Sequence, residues 1–177
     1  MLLQNRNVAW LITIAIMITG LFLGSYMSFR NMRADAVGVF REEVEPVLHE
    51  QMQMVYNMLT IYRLNTAGTQ VFANSVNELI ERIQAGIQTV SHDLPNDLWL
   101  LKQHSEAMYR QGDELNLNDS DARFMRNFYI DIQELQTVIS QSSYNIKAQE
   151  FNETTGRGLG FLTQWLGVFG NRQLPVF

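Results

Sequence analysis

The chain has 177 residues and a mass of 20.4 kDa, which is enough for one domain of ordinary size. Its apolar fraction of 46% and charged fraction of 18% exclude a disordered, collagen-like or low-complexity protein. Because the sequence contains no cysteine, disulfides, thiolate metal sites and a cysteine nucleophile are excluded as well. The net charge of −5 disfavours broad nucleic-acid binding, which needs a cationic surface against phosphate.

The first predicted element is an apolar helix near the N-terminus. An uncharged run extends from Arg6 to Arg30 and exceeds the about 20 residues that a helix needs to cross a bilayer. We therefore predict an N-terminal transmembrane anchor in residues 1–29, with the helix itself over Val8 to Ser28. A cleaved signal peptide is the alternative, but its apolar region is usually only about 7 to 15 residues long and a cleavage site follows it.

The predicted span carries a possible packing motif. Gly20 and Gly24 form a GxxxG pattern, which lets two membrane helices approach closely, although glycine is also frequent in such helices by chance. The orientation of the span rests on a small difference in positive charge. Arginines are concentrated after the span, in residues 30–41, whereas Arg6 and the terminal amine precede it. This surplus favours a C-terminal domain in the cytoplasm.

The rest of the chain is predicted to be helical, because prolines are few and alternating β-branched runs are absent. Apolar residues three and four apart predict four helices, which run from Val37 to Tyr62, from Phe72 or Ser75 to Val90, from Pro95 to just before Gly112, and from Asp119 or Ser120 to Asn152. Pro46 should kink the first helix or mark a new start, and Gln51 is the one expected apolar position on its stripe that is polar.

These elements predict an all-α protein in which the transmembrane helix precedes an antiparallel, up-and-down four-helix bundle of long helices. The bundle is assigned to residues 30–155, and residues 156–177 form a glycine-rich and aromatic C-terminal segment. The fourth helix has its apolar stripe at Phe124, Phe128, Ile132, Leu135, Ile139, Ser142 and Ile146. This spacing matches the seam of one long helix packed in a bundle.

Patterns that would carry chemistry are weak. The GRGLG sequence that begins at Gly156 lacks the preceding strand and the full spacing of a phosphate-binding loop. Glutamates at 42, 43, 45 and 50 surround His49, but they lack metal-ligand spacing and are typical of a solvated helix face. No nucleophile elbow or comparable catalytic spacing occurs. We therefore expect no enzyme activity, no cofactor and no metal.

The C-terminal segment contains apolar and aromatic side chains that have to be buried. Phe161, Trp165 and Phe169 are the predicted contact residues. Three locations remain open for them: one end of the bundle, a neighbouring copy of the chain, or the membrane surface.

Several stretches resemble the LemA family of bacterial membrane-anchored helical-bundle proteins. They are GSYMSFRNMRADAV after the span, NFYIDIQELQTVISQSSYNIKAQEFN in the fourth helix, and the final LGVFGNRQLPVF. The most specific match is the pair of aromatic-asparagine dipeptides Tyr144-Asn145 and Phe151-Asn152, which lie two helical turns apart on one face. Asn57 matches the asparagine of the family's first-helix motif.

The resemblance implies a four-helix bundle on one N-terminal anchor, without established catalytic chemistry. Other members carry a lipoprotein cysteine about where Ser25 stands, which implies a bundle outside the cytoplasm, against the arginine count. We therefore expect a non-catalytic, single-pass protein of the bacterial inner membrane that self-assembles or supports a membrane protein complex, with no nucleic acid or small-molecule substrate as partner. The alternative is an extracytoplasmic sensory bundle. The sequence counts against it, since such receptors usually have a second span and no second apolar run of about 18 residues follows Phe29, so a sensory bundle would have to act through a membrane partner.

Overall fold

The computed structural model describes residues 6–66, 70–115, 117–156 and 173–177. Within these ranges the chain is all-helical and has no strand, which confirms the predicted all-α class. The helices are α1 (Arg6–Val39), α2 (Glu45–Asn65), α3 (Gln70–Thr89), α4 (Leu94–Glu114), α5 (Asp119–Gln141) and α6 (Ser143–Thr155). A π-helical segment, Phe40–Val44, joins α1 to α2.

The N-terminal helix is long and apolar enough to cross a membrane. From Val8 it continues through the π-helical segment to Asn65, so that 58 residues form one uninterrupted helical rod. Its most apolar window has a mean hydropathy of 2.1 and is not buried against the other described parts of the chain. The predicted span from Val8 to Ser28 lies inside this rod.

The π-helical segment keeps the buried residues of this rod on one face, which packs against the rest of the core. Ala36, Phe40, Val44 and Leu48 are fully buried, although each is four residues from the next. In a regular α-helix each four-residue step would rotate the stripe by about 40°, because 3.6 residues complete a turn. The wider π turn compensates for this drift. Pro46 lies in the first turn of α2, directly after the π-helical segment.

The helices fall into two contact groups. Helix α2 packs against α3, α4 and α5, and α4 also packs against α3 and α5, whereas α6 packs along α1 and the π-helical segment. The buried side chains form one connected apolar cluster that joins the two groups. It includes Phe40, Leu48, Val55, Met58, Ile83, Leu94, Leu101, Met108, Met125, Ile132, Tyr144 and Phe151.

The predicted fourth helix is wrong in one respect, because the structure divides it. Ser142 is extended, with φ −60° and ψ 142°, and separates α5 from α6. The ends of the predicted stripe, Phe124 and Ile146, are exposed by 51% and 71%, while Met125 and Tyr144 are buried instead. The cap of α5 is Asn118, whose side chain accepts hydrogen bonds from the backbone N–H groups of residues 120 and 121, and not Asp119 or Ser120.

Two other predicted helix ends differ from the structure. Helix α3 already begins at Gln70, so Ser75 lies inside it and donates to the carbonyl of Phe72 instead of capping a start. Helix α4 continues past Gly112 to Glu114. A single glycine can be tolerated within a helix, at a cost of about 1 kcal/mol, when the neighbouring turns remain packed.

Candidate functional site

The start of α6 is fixed by a carboxylate from the π-helical segment. Glu43 accepts hydrogen bonds from the Ser142 hydroxyl at 2.8 Å, the Ser143 hydroxyl at 2.6 Å and the Ser143 backbone N–H at 2.9 Å. The Ser142 hydroxyl in turn accepts from the backbone N–H of Tyr144 at 3.1 Å. Hydrogen bonds from Ser143 and Ser142 lower the pKa of Glu43 below its ordinary value. An anionic group at a helix N-terminus is favourable, so this contact explains why a new helix starts here.

Helix α6 runs antiparallel to α1. Its first residue lies beside Glu43, and one turn later the Lys147 ammonium pairs with the carboxylate of Asp35. As the residue number rises from 143 to 147 along α6, the number of the contacted residue falls from 43 in the π-helical segment to 35 in α1. The C-terminal end of α6 therefore points toward the apolar part of α1.

The C-terminal tail, defined here as Gln173–Phe177, is attached to this end of α6 by Asn152. The side-chain amide of Asn152 donates to the carbonyl of Leu174 at 2.8 Å and accepts from the N–H of the same residue at 2.8 Å. Leu174 and Pro175 are buried. One primary amide thus recognises both backbone groups of one tail residue.

Asn145 makes the second attachment of the tail. Its side-chain oxygen accepts from the backbone N–H of Phe177 at 2.8 Å. Its side-chain NH₂ donates to the carbonyls of Ile139 at 2.8 Å and Ser140 at 3.1 Å at the end of α5, where the Ile139 carbonyl also accepts from the backbone N–H of Ser142 at 3.2 Å. Asn145 therefore links the tail to the break between α5 and α6.

Three aromatic rings close the site between these two asparagines. The Tyr144 ring meets Phe40 edge-on, with 5.2 Å between centroids, and Phe177 lies 6.3 Å from Phe40 and 5.9 Å from Tyr144. Tyr144 is fully buried, and its hydroxyl has no hydrogen-bond partner in the described part of the chain. Burial raises the pKa of Tyr144 above its ordinary value, so the phenol stays neutral and fills the core.

An apolar pocket of about 240 Å³ lies on the other side of the tail. Its walls come from α2, α4, α5 and the tail itself. The lining residues are Gln51, Pro95, Leu98, Trp99, Lys102, Gln136, Ile139, Ser140, Val176 and Phe177. Gln51 is fully buried, and neither atom of its amide has a hydrogen-bond partner among the described residues.

The structure brings together four of the five residues that carry the family resemblance. Tyr144, Asn145, Phe151 and Asn152 all lie on α6, where Phe151 is buried and the other three contact the tail or the rings around it. Asn57 lies apart from them on α2, and its side-chain oxygen accepts from Gln53 at 3.2 Å.

Other predicted positions take no part in this site. A Cβ atom added at Gly20 or Gly24 would meet nothing within 4 Å among the residues that the structure describes. Phe161, Trp165 and Phe169, and the glycine loop beyond Gly156, lie outside the described residues. Among the residues that are described, no group of three histidine, aspartate or glutamate side chains could hold a metal ion.

Sequence reasoning missed two groups of this site, the carboxylate of Glu43 and the pocket beside the tail. It expected the C-terminal segment 156–177 to pack on the bundle, a neighbouring copy or the membrane, but did not name Leu174 and Phe177 as contact residues. A signal for the tail exists in hindsight, since Leu174, Val176 and Phe177 flank a proline that holds the backbone extended. The side chains described here offer amides, an ammonium group and apolar surface, which suit recognition of an extended backbone. No family model, no curated protein and no solved structure matches this chain.

Proposed function

We propose that the chain is a non-catalytic, single-pass membrane protein of the LemA type that self-assembles or supports a membrane protein complex. The observation that carries the proposal is the use of Asn145 and Asn152. Both side-chain amides form hydrogen bonds with backbone groups, so the aromatic-asparagine pairs hold two segments of the chain together and do not act as reactive groups. This role agrees with the resemblance to a family without established catalytic chemistry.

The architecture within this proposal is an antiparallel, up-and-down bundle of α2, α3, α4 and α5 on the anchor provided by α1. The contacts of α2 with the three other helices, and of α4 with both α3 and α5, support this arrangement. Short connections between successive helices favour antiparallel neighbours. The proposed location is the bacterial inner membrane, with the bundle on the extracytoplasmic side, as the resemblance implies.

The proposed contact between copies includes Gly20 and Gly24 in the apolar part of α1. Both positions are open in the part of the chain that the structure describes, and glycine has no side chain, so another helix can approach them closely. The apolar side chains around them are exposed as well, for example Ile16 by 67% and Leu23 by 59%. A second copy of the same helix is a partner of matching length and polarity.

The test is the particle mass of the full-length protein in mild detergent. We expect a defined oligomer, which is weakened by Gly20→Leu with Gly24→Leu and is absent from a chain that starts at Arg30. The matched control is Ala15→Leu with Thr19→Leu, which adds leucines at the same spacing on another face and should leave the mass unchanged. A monomeric full-length protein would rule out self-assembly, and crosslinking in cells would then test for a foreign partner.

The alternative function is an extracytoplasmic sensory bundle that acts through a membrane partner. The observation in its favour is the pocket beside the tail, which combines apolar walls with the unpaired amide of Gln51. Ligand pockets usually have this composition, an apolar lining with a few polar groups. Stabilisation of the folded protein by a bound metabolite would support this function.

A further inference from the structure

The pocket beside the tail has an apolar side and a polar side. Leu98, Trp99 and Ile139 line it together with Val176 and Phe177 of the tail. Trp99 is 54% exposed and Val176 is 43% exposed, so both lie at the open mouth. Large exposed apolar side chains beside a cavity are typical of a surface that receives a ligand.

Gln51 marks the polar floor of this pocket. Its side chain is fully buried, and both its donor NH₂ and its acceptor oxygen lack partners in the described part of the chain. A buried amide without hydrogen bonds destabilises the protein, and a leucine at this position of the apolar stripe would avoid the cost. The presence of glutamine therefore calls for a group that offers one acceptor and one donor.

The same molecule shows how a primary amide binds such a group. Asn152 contacts Leu174 through one N–H···O=C bond and one O···H–N bond, both 2.8 Å long. The recognised unit is a single amino-acid residue that offers its own N–H and its own carbonyl oxygen. Gln51 carries the same amide and can form the same pair of hydrogen bonds.

Lys102 supplies a positive charge at the pocket wall. Its side chain is half-buried, and no carboxylate among the described residues forms an ion pair with it. A partly desolvated ammonium group favours an anion in its vicinity. A ligand that matches both Lys102 and Gln51 therefore carries a carboxylate next to an N–H group.

We propose that this pocket binds an N-acylated apolar amino-acid unit with a free carboxylate. Its carboxylate contacts the Lys102 ammonium and the Gln51 NH₂, its N–H donates to the Gln51 oxygen, and its side chain lies against Leu98, Trp99 and Ile139. This binding function goes beyond scaffolding and does not depend on self-assembly. Such a unit occurs as a free acyl amino acid or as the carboxyl end of a peptide.

Access to the floor of the pocket requires movement of one wall, since Gln51 is closed to water. The wall that can yield is the tail, which is held by hydrogen bonds from Asn145 and Asn152 instead of by helical turns. Ligand binding is therefore coupled to the position of Val176 and Phe177.

The experiment is calorimetric titration of the full-length protein in detergent with N-acetyl-L-leucine and, separately, with N-acetyl-L-leucinamide, which lacks the carboxylate. We expect saturable binding with a preference for the acid. Gln51→Leu should weaken binding of the acid at least tenfold, because it removes both amide contacts. Lys102→Gln should abolish the preference for the acid. Gln84→Leu, an exposed glutamine on α3, is the matched control and should bind as the parent protein does.

Folding is checked by thermal unfolding, in which Gln51→Leu should melt no lower than the parent protein. If Gln51→Leu does unfold, the proposal is tested by Lys102→Gln alone, in which the preference for N-acetyl-L-leucine over its amide should be lost. Acetyl-Gly-Gly-Leu identifies the source: tighter binding than N-acetyl-leucine assigns the carboxyl end of a peptide, and equal binding assigns a free acyl amino acid. Absence of saturable binding, or affinities unchanged in both pocket variants, would overturn the proposal.

Discussion

Replacement of Asn152 by alanine should release the C-terminal tail from α6. The substitution removes the donor to the Leu174 carbonyl and the acceptor for the Leu174 N–H, while the backbone of α6 is left intact. Asn152 lies in the interior of α6, where alanine favours the helix, so the loss is confined to the tail contact.

The size of the effect follows from the two hydrogen bonds. Each is 2.8 Å long and partly buried, and a bond of this kind contributes about 1 kcal/mol net to stability. The docked state of the tail should therefore lose about 2 kcal/mol, which lowers its equilibrium constant about 30-fold. Leu174, now 1% exposed, would spend more of its time in water.

Hydrogen exchange measures this equilibrium directly at the backbone N–H groups of Leu174 and Phe177. In the parent protein both are bonded to asparagine side chains and should be protected. In Asn152→Ala the protection of Leu174 should fall about 30-fold. The control is Gln149→Ala on the exposed side of α6, where the amide donates to Glu153 at 3.1 Å. Equal protection of Leu174 in the two variants would refute the fastening role of Asn152.

Two further predictions concern the helices. Glu43→Gln should destabilise the fold at neutral pH, because the carboxylate accepts three hydrogen bonds at the start of α6. The folded-state pKa of Glu43 is lowered from 4.5, so this difference in stability is fully present above pH 4.5 and is lost as the pH falls through the lower folded-state pKa. The free energies of unfolding of the two proteins, measured in urea from pH 7 to pH 3, should therefore approach each other as the pH falls. A difference that stays constant with pH would contradict this prediction. Gly38→Ala should stabilise the helix by up to about 1 kcal/mol, since Gly38 is exposed and a Cβ added there would meet no described atom within 4 Å. Gly86→Ala should be destabilising by comparison, because the new Cβ would lie 2.9 Å from Cδ2 of the buried Leu94; equal melting temperatures of the two alanine variants would be evidence against this packing.

The helical class and the approximate extent of α2, α3 and α4 could be predicted because apolar periodicity depends on local sequence. The break at Ser142 could not, since the apolar stripe continues through it with helical spacing. The contact at this break comes from Glu43, whose position lies 99 residues earlier in the chain. A tertiary hydrogen bond of this kind leaves no periodic trace in the sequence.

The candidate site was only half visible in the sequence. The two asparagines could be placed on one face of a helix, because a separation of seven residues is two turns. Their partners are backbone groups of Leu174 and Phe177, and backbone groups are chemically the same at every residue. Sequence therefore identifies the amides that bind but not the segment that they bind. The orphaned amide of Gln51 was visible as a polar residue on an apolar stripe, without indication of the pocket beside it.

The uninterrupted rod from Val8 to Asn65 has a mechanical consequence. At 1.5 Å per residue its 58 residues measure about 87 Å, and about 54 Å of this length lies beyond Arg30. Transmembrane helices tilt by about 20° on average, and such a tilt would displace the far end of the rod sideways by about 18 Å. If α1 crosses a membrane as proposed, the tilt of its apolar part would set how far the distal helices reach across the membrane surface, because the helix continues without a break from Val8 to Asn65. A change in bilayer thickness that altered this tilt would then move the distal helices sideways.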